Sequence, residues 1–236
     1  MGRLLAAAAA TAALLGAFAG APGNSAHADA SANVGDMERV QQTVYGTPPN
    51  GQQLAKHQGD GVVFHENIET WAASSAQLRF IDGSHLTLGS KAKVLIDEFV
   101  FDPSKAQGNA LIKISAGTLR WVTGAMPKGQ TVIKTPTATL TLRGTDVTVH
   151  VHPNGTTDAK VHDGIVDNHN DLTNTDTTMG PGDSQTSDQT GNHTNNGDGP
   201  GDPGDLGDNG DTHDPITGSG NQATPPEVDK PCNCDL

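Results

Sequence analysis

Aromatic residues make up only 3% of this 236-residue chain, and none follows Trp121. Hydrophobic residues of every kind reach 33%. A core running the whole length is thereby excluded, and part of the chain is expected to stay unfolded. Cysteine is almost absent: Cys232 and Cys234 stand alone at the extreme C-terminus. They cannot staple the body of the chain, so its fold must rest on its core. With one residue between them an internal disulfide would be strained. Intermolecular pairing, metal binding, thiol attachment and an idle terminal pair all stay open. Positive charge is scarce as well, with 14 Lys and Arg against 27 Asp and Glu and a formal net charge of −13. Thirteen of the acids, against Lys230 alone, lie in Asp171–Leu236. The body is therefore close to neutral and offers no basic surface, so nucleic acid is not expected as a partner.

Long apolar runs are missing apart from Leu4 to Ala19. That run follows Arg3 and precedes Ala26-His27-Ala28, which has small residues at the two positions a signal peptidase reads. It is shorter than the roughly 18–20 residues a spanning helix needs. Residues 1–28 therefore read as a cleaved secretory signal, with no stable membrane span afterwards and a periplasmic or extracellular destination. Residues 29–43 read as a polar lead-in, 44–183 as a β domain, and 184–236 as a disordered, Asp- and Gly-rich tail.

Within the β domain, short apolar runs alternate with turn signals about every ten residues. Leu78-Arg79-Phe80-Ile81 and His85-Leu86-Thr87-Leu88 flank Asp82-Gly83, a strong hairpin signal. Ala116-Gly117 reads as another tight turn between Leu111–Ile114 and Leu119–Val122. Asn154-Gly155 and Asp163-Gly164 punctuate the last strands. No segment keeps helical spacing for long. The expectation is an all-β sandwich or roll, with a β-solenoid as the alternative because the turns are fairly even. Phe64, Trp71, Leu78, Phe80, Leu86, Leu88, Phe99, Phe101, Leu119, Trp121, Leu140 and Leu142 are the large apolar candidates for one core.

The chain is organised around Ile133 to Thr145, which reads I-K-T-P-T-A-T-L-T-L-R-G-T. Pro136 suits a strand start or edge, and the alternation from Ala138 to Leu142 marks a strand with one buried face. Arg143-Gly144-Thr145 breaks that alternation, and Gly144 allows a bulge or a close backbone approach. Val147, Val149 and Val151 begin a second alternating run, which leaves Thr148, His150 and His152 facing water.

This stretch resembles the signature of the FecR-like domain family, named for the periplasmic part of an iron-citrate signalling regulator. Gly59-Asp60, Ile68-Glu69-Thr70, Ala76 through Ser84 and Gly117-Thr118-Leu119-Arg120 are similar in order, so the resemblance spans roughly Val44 to Asn168. It implies a jelly-roll-like sandwich and an exported, non-enzymatic module that binds an envelope protein. Thr135, Pro136, Arg143, Gly144 and Thr145 are its signature residues, expected to be structural. Family regulators hold a sigma factor through a cytoplasmic portion. Only Met1, Gly2 and Arg3 precede the apolar run here, so an anti-sigma role is not expected.

Other chemistry has weaker support. Gly144, His150 and His152 have the spacing that opens the first metal motif of the cupins, but no Glu follows at the required distance and Asp158 comes late. The tail run Gly207 to Asp214 is rich in oxygen donors without matching a known calcium loop. No serine stands in a nucleophile elbow. No catalytic residue, metal site or cofactor is expected.

Overall fold

A computed structural model of the chain describes residues 32–195, 199–201 and 203. The signal segment, residues 1–28, lies outside the described residues, and so do most of the acidic tail and its calcium-loop candidate, with Cys232 and Cys234.

Seventeen strands and no helix make up the described fold, in two facing sheets that share one long strand. The first sheet runs β4 (Gly61–Val63), β1 (Asn33–Gln41), β6 (Ser75–Phe80), β7 (His85–Leu88), the C-terminal part of β9 (Gln107–Val122), β12 (Asp146–Val151), β13 (Thr157–Asp163), β16 (Ser184–Asp188) and β17 (Gly191–Thr194). The second runs β3 (Leu54–Ala55), β2 (Val44–Thr47), β5 (Asn67–Thr70), β8 (Lys93–Asp102), the N-terminal part of β9, β10 (Thr131–Lys134), β11 (Ala138–Leu142), β14 (Val166–Asn170) and β15 (Thr175–Met179).

The shared strand turns the corner at Gly117, whose φ is +81° and where a Cβ would come within 2.5 Å of Ala92 Cα. Only glycine fits both constraints. The tight turn expected at Ala116-Gly117 is therefore a bend inside one continuous strand. After that bend the chain finishes β9 in the first sheet, then returns through residues 123–130 to lay β10 parallel beside the start of β9. This crossover allows the one parallel pair; all other pairings are antiparallel.

From β10 onward the chain adds hairpins to the two sheets in turn. β10–β11 joins the second, β12–β13 the first, β14–β15 the second and β16–β17 the first. β14 docks on β11 and β16 docks on β13. A solenoid would pair its coils in parallel, so this antiparallel growth is that of a sandwich or roll. Both sheets stay open, with β4 and β17, and β3 and β15, at their edges.

The two ends of the interior differ in chemistry. Under β6 to β9, Phe80 stacks on Phe99 at 4.5 Å between ring centres and lies 5.3 Å from Trp121. Leu78, Leu86, Leu88, Leu119, Leu140 and Leu142 are buried around them. Of the other expected core residues, Phe64 and Phe101 are half-buried against this cluster, and Trp71 lies outside it at 59% exposure. Under β13 to β17 buried polar side chains join Ala159, Val161, Val166 and Met179 in the filling. Asn168 donates to Gln185 Oε1 and Ser187 Oγ at 3.1 and 3.0 Å, and Asn170 donates to the Asp188 carbonyl at 2.9 Å.

Two boundaries move. The domain was expected to end at Asp183, yet β16 and β17 carry the order to Thr194. Ser184 to Asp188 contains no apolar side chain; its backbone ladders and interior hydrogen bonds hold it instead. The Asp188 carboxyl, bonded by the Thr190 hydroxyl at the β16–β17 turn, is held below the ordinary carboxylate range. At the other end the supposed lead-in is strand β1, paired with both β4 and β6, with Val34 and Met37 buried. Its few apolar residues are spaced across a bulge, which breaks the period of two.

Candidate functional site

The Thr135-to-Thr145 stretch forms β11 and both of its crossings toward the first sheet. At the first, Thr135, Thr137 and Thr157 are buried and linked by hydroxyls: Thr137 donates to Thr157 at 2.8 Å, and Thr157 to Thr135 at 2.7 Å. Thr135 also accepts the amide of Ala138 at 2.9 Å and donates to its carbonyl at 3.1 Å. Thr137 further reaches the carbonyls of Gly155 and Ser187, both at 3.1 Å. The three hydroxyls thus tie β10–β11, β12–β13 and β16 together. Pro136 sits exposed on the tip of this turn, where its missing N–H is no loss.

At the second crossing, Gly144 has φ +70° and its carbonyl lies where a Cβ on Gly164 would have to go. Two glycines are thus packed against one another where β11–β12 passes β13–β14. Thr145 is buried, and its amide donates to Thr123 Oγ1 at 3.2 Å. Arg143 is exposed and its guanidinium pairs with Asp167. At this exposure the pair contributes roughly 0–1 kcal/mol.

His150 and His152 occupy the outer face of β12, with ring centres 4.4 Å apart. His150 Nδ1 is bonded to Thr118 Oγ1 at 2.6 Å, and His152 Nε2 to Asp158 at 2.6 Å. Among the described residues no group of three or more His, Cys, Asp or Glu side chains is placed to hold a metal. Both histidines are half-buried, and Thr148 between the valines is fully buried and bonded to His162 at 2.9 Å. The period of two placed these side chains on the outer face, but not the neighbouring strands that cover Thr148.

On the outer face of the second sheet, strand register lines up Asn67, Leu95, Lys113 and Lys134 side by side. A shallow groove of about 390 Å³ lies here, lined by these residues with Lys93 and Pro136. Each lysine has an acidic neighbour: Lys93 and Glu69 at 2.8 Å, Lys113 and Asp97 at 2.7 Å, Lys134 and Asp171 at 3.6 Å. The groove combines an apolar floor with paired charges at its rim, and the signature residue Pro136 closes one end. Reading the sequence alone did not find it, because the lysines come from three strands, and the crossover after β9 is what brings Lys134 beside Lys113.

Two further clusters also escaped that reading. Asp82, 6% exposed, accepts the Ser84 amide at 2.9 Å, the Ser84 hydroxyl at 2.6 Å and the Met126 amide at 3.1 Å. It joins the β6–β7 hairpin to the crossover loop. Glu66 is fully buried with Lys56 Nζ 2.6 Å from its Oε1. The hairpin signal at Asp82-Gly83 was legible, but not the carboxylate's reach to residue 126.

Residues 66–167 match the family model described as FecR protein. Two crystal structures of a proposed anti-sigma factor from Parabacteroides distasonis show a distant likeness. The one at 2.50 Å resolution is 16% identical with a TM-score of 0.46, and the one at 1.65 Å is 14% identical with a TM-score of 0.45. In each the similarity covers 56% of this chain and 60% of that one. No curated protein matches the chain in sequence.

Proposed function

We propose that this chain, which carries a FecR domain over residues 66–167, is a non-catalytic, exported protein-interaction module acting in envelope signalling or surface assembly. The family match is the observation that carries this reading. The signature divides into scaffold and surface. Thr135, Gly144 and Thr145 tie the crossings together, while Pro136 faces outward at the lysine groove and Arg143 faces outward at the second crossing, paired with Asp167. The partner is an envelope protein, and the groove is the surface it meets. An apolar floor rimmed by charge that can exchange its partners suits a protein contact.

The test is a crosslinking pull-down from envelope extract with the tagged chain starting at residue 29, beside a Lys93→Glu, Lys113→Glu variant. Both lysines are about half exposed, so the variant keeps its fold. The expected result is a specific protein retained by the parent and lost from the variant. The same proteins captured by both, or none by either, would overturn the assignment of the groove.

A further inference from the structure

Trp71 is one of two tryptophans in the chain, and it lies outside the core at 59% exposure. Its indole meets the ring of Tyr45, the only tyrosine, at 5.9 Å between centres and a 59° tilt. In a chain this poor in aromatics, two rings spent on the surface against each other need a reason. An exposed indole left to itself gains little from burial and is normally mobile.

Here the backbone beneath the indole is fixed. The Trp71 amide donates to the Thr43 carbonyl at 3.1 Å. The Trp71 carbonyl accepts the amides of Ser74 and Lys91, each at 3.2 Å. Ser90 Oγ binds the Ala73 amide at 3.1 Å, and Ser74 Oγ binds the Thr43 amide at 3.1 Å. The turns β1–β2, β5–β6 and β7–β8 thus converge on this one residue. Each carries a non-glycine residue at positive φ: Gln42 at +60°, Ala73 at +54° and Lys91 at +55°. Such conformations persist where the surroundings over-determine them, and they gather at binding sites.

Beside Tyr45 opens a groove of about 380 Å³ whose lining includes Gln42, Thr43, Lys56, His57 and Gln58. That volume lies within the range of small-ligand sites, roughly 300–1,000 Å³. The walls present amide, hydroxyl and imidazole groups, while the Lys56 ammonium turns away to Glu66, and no carboxylate is among the lining residues.

We propose that Trp71, Tyr45 and this groove form a carbohydrate-binding site, the indole stacking on the apolar face of a pyranose ring while the groove's polar side chains take its hydroxyls. The C–H groups of a pyranose face match the negative face of an aromatic ring, and its equatorial hydroxyls match a rim of mixed donors and acceptors. Two rings fall far short of the roughly 800 Å² per partner that a stable protein interface buries. Leu54 does not enlarge the patch, because it pairs with Gly46 and points to the other face from Tyr45 and Ala55. The proposal uses neither the lysine groove nor its partner, so it stands or falls apart from the reading above.

The test uses the full chain and three soluble probes: cellohexaose, chitohexaose and maltohexaose. Trp121 is fully buried, so the solvent-exposed part of the tryptophan emission belongs to Trp71. At least one sugar is expected to shift and quench that emission saturably below about 10 mM, with binding weakened at least about tenfold in Trp71→Ala. Isothermal titration reads the same loss without the fluorophore. Gln42→Ala, outside the stack, is expected to weaken binding by roughly threefold to tenfold, about one hydrogen bond. Both side chains are exposed, so an unchanged melting temperature shows that the variants fold. No response to any of the three sugars, or binding undiminished in Trp71→Ala, would overturn the site. So would stacking of a proline-rich peptide in place of every sugar.

Discussion

Replacing Lys56 with Met should be among the most damaging single changes in this fold. Glu66 has no exposed side-chain surface and Lys56 only 13%. Lys56 Nζ lies 2.6 Å from Glu66 Oε1 and donates to the Gly61 carbonyl at 2.8 Å. Glu66 Oε2 accepts the Val63 amide at 3.0 Å. Gly46 lies directly over the pair, and a Cβ there would run into both side chains. The cluster pins the two-residue edge strand β3 and links β4 of the first sheet to β5 of the second. Methionine keeps the aliphatic volume and removes the charge, stranding a carboxylate in the interior. Breaking a buried pair in this way costs about 3–5 kcal/mol. At roughly 2–4 °C per kcal/mol for a domain of this size, the melting temperature should fall by about 6–20 °C. Urea unfolding of the full chain at neutral pH, at constant m-value, is the assay. The double variant Lys56→Met, Glu66→Leu should recover much of the loss, because an apolar pair of similar volume removes the unpaired charge. A single variant within about 1 kcal/mol of the parent, or a double variant no better than the single, would refute the reasoning.

Asp82→Asn puts an amide N–H against the Ser84 or the Met126 amide, donor facing donor, and should cost about 2–4 kcal/mol in the same urea assay. Gly117→Ala adds backbone strain to a clash with Ala92 and should cost at least about 2 kcal/mol, whereas Gly59→Ala, also at positive φ but with open space around it, should cost about 1 kcal/mol.

The strands that could be read from the sequence were those that bury one apolar face. Leu78-Arg79-Phe80 and His85-Leu86-Thr87-Leu88 alternate cleanly, and Asp82-Gly83 between them closes the hairpin with Gly83 at φ +80°. Val147, Val149 and Val151 are buried as their spacing requires. β16 and β17 were invisible for the opposite reason: hydrogen bonding through Gln185, Ser187 and Asn192 leaves no hydrophobic period to detect. Trp71 was misplaced because bulk and apolarity are shared by core anchors and by exposed platforms. Only the turns around it distinguish the two. The lysine groove and the Asp82 hub were hidden because both depend on register across the β9 crossover, which a single sequence does not encode locally.

The matched segment begins at Glu66 and stops inside β14, so it holds the aromatic core, the shared strand and both crossings of the signature. What lies outside it are the flanks that end both sheets: β1 to β4 on one side, β15 to β17 on the other. These flanks are fastened by different means. The leading flank adds one buried ion pair beneath Gly46 to its strand pairing and its buried Val34, Met37 and Val44, and the trailing flank adds a web of Thr, Asn and Ser contacts. An ion pair is all-or-none, while a web loses one bond at a time. The edge nearest Tyr45 and Trp71 is therefore the one that a single charge change can release. Loss of Lys56 should loosen β2 and β3 before the aromatic core unfolds, because Lys56 contacts neither Trp121 nor its neighbours. Amide exchange would then separate the two events, with Val44 to Ala55 exposed first and Leu119 to Trp121 last.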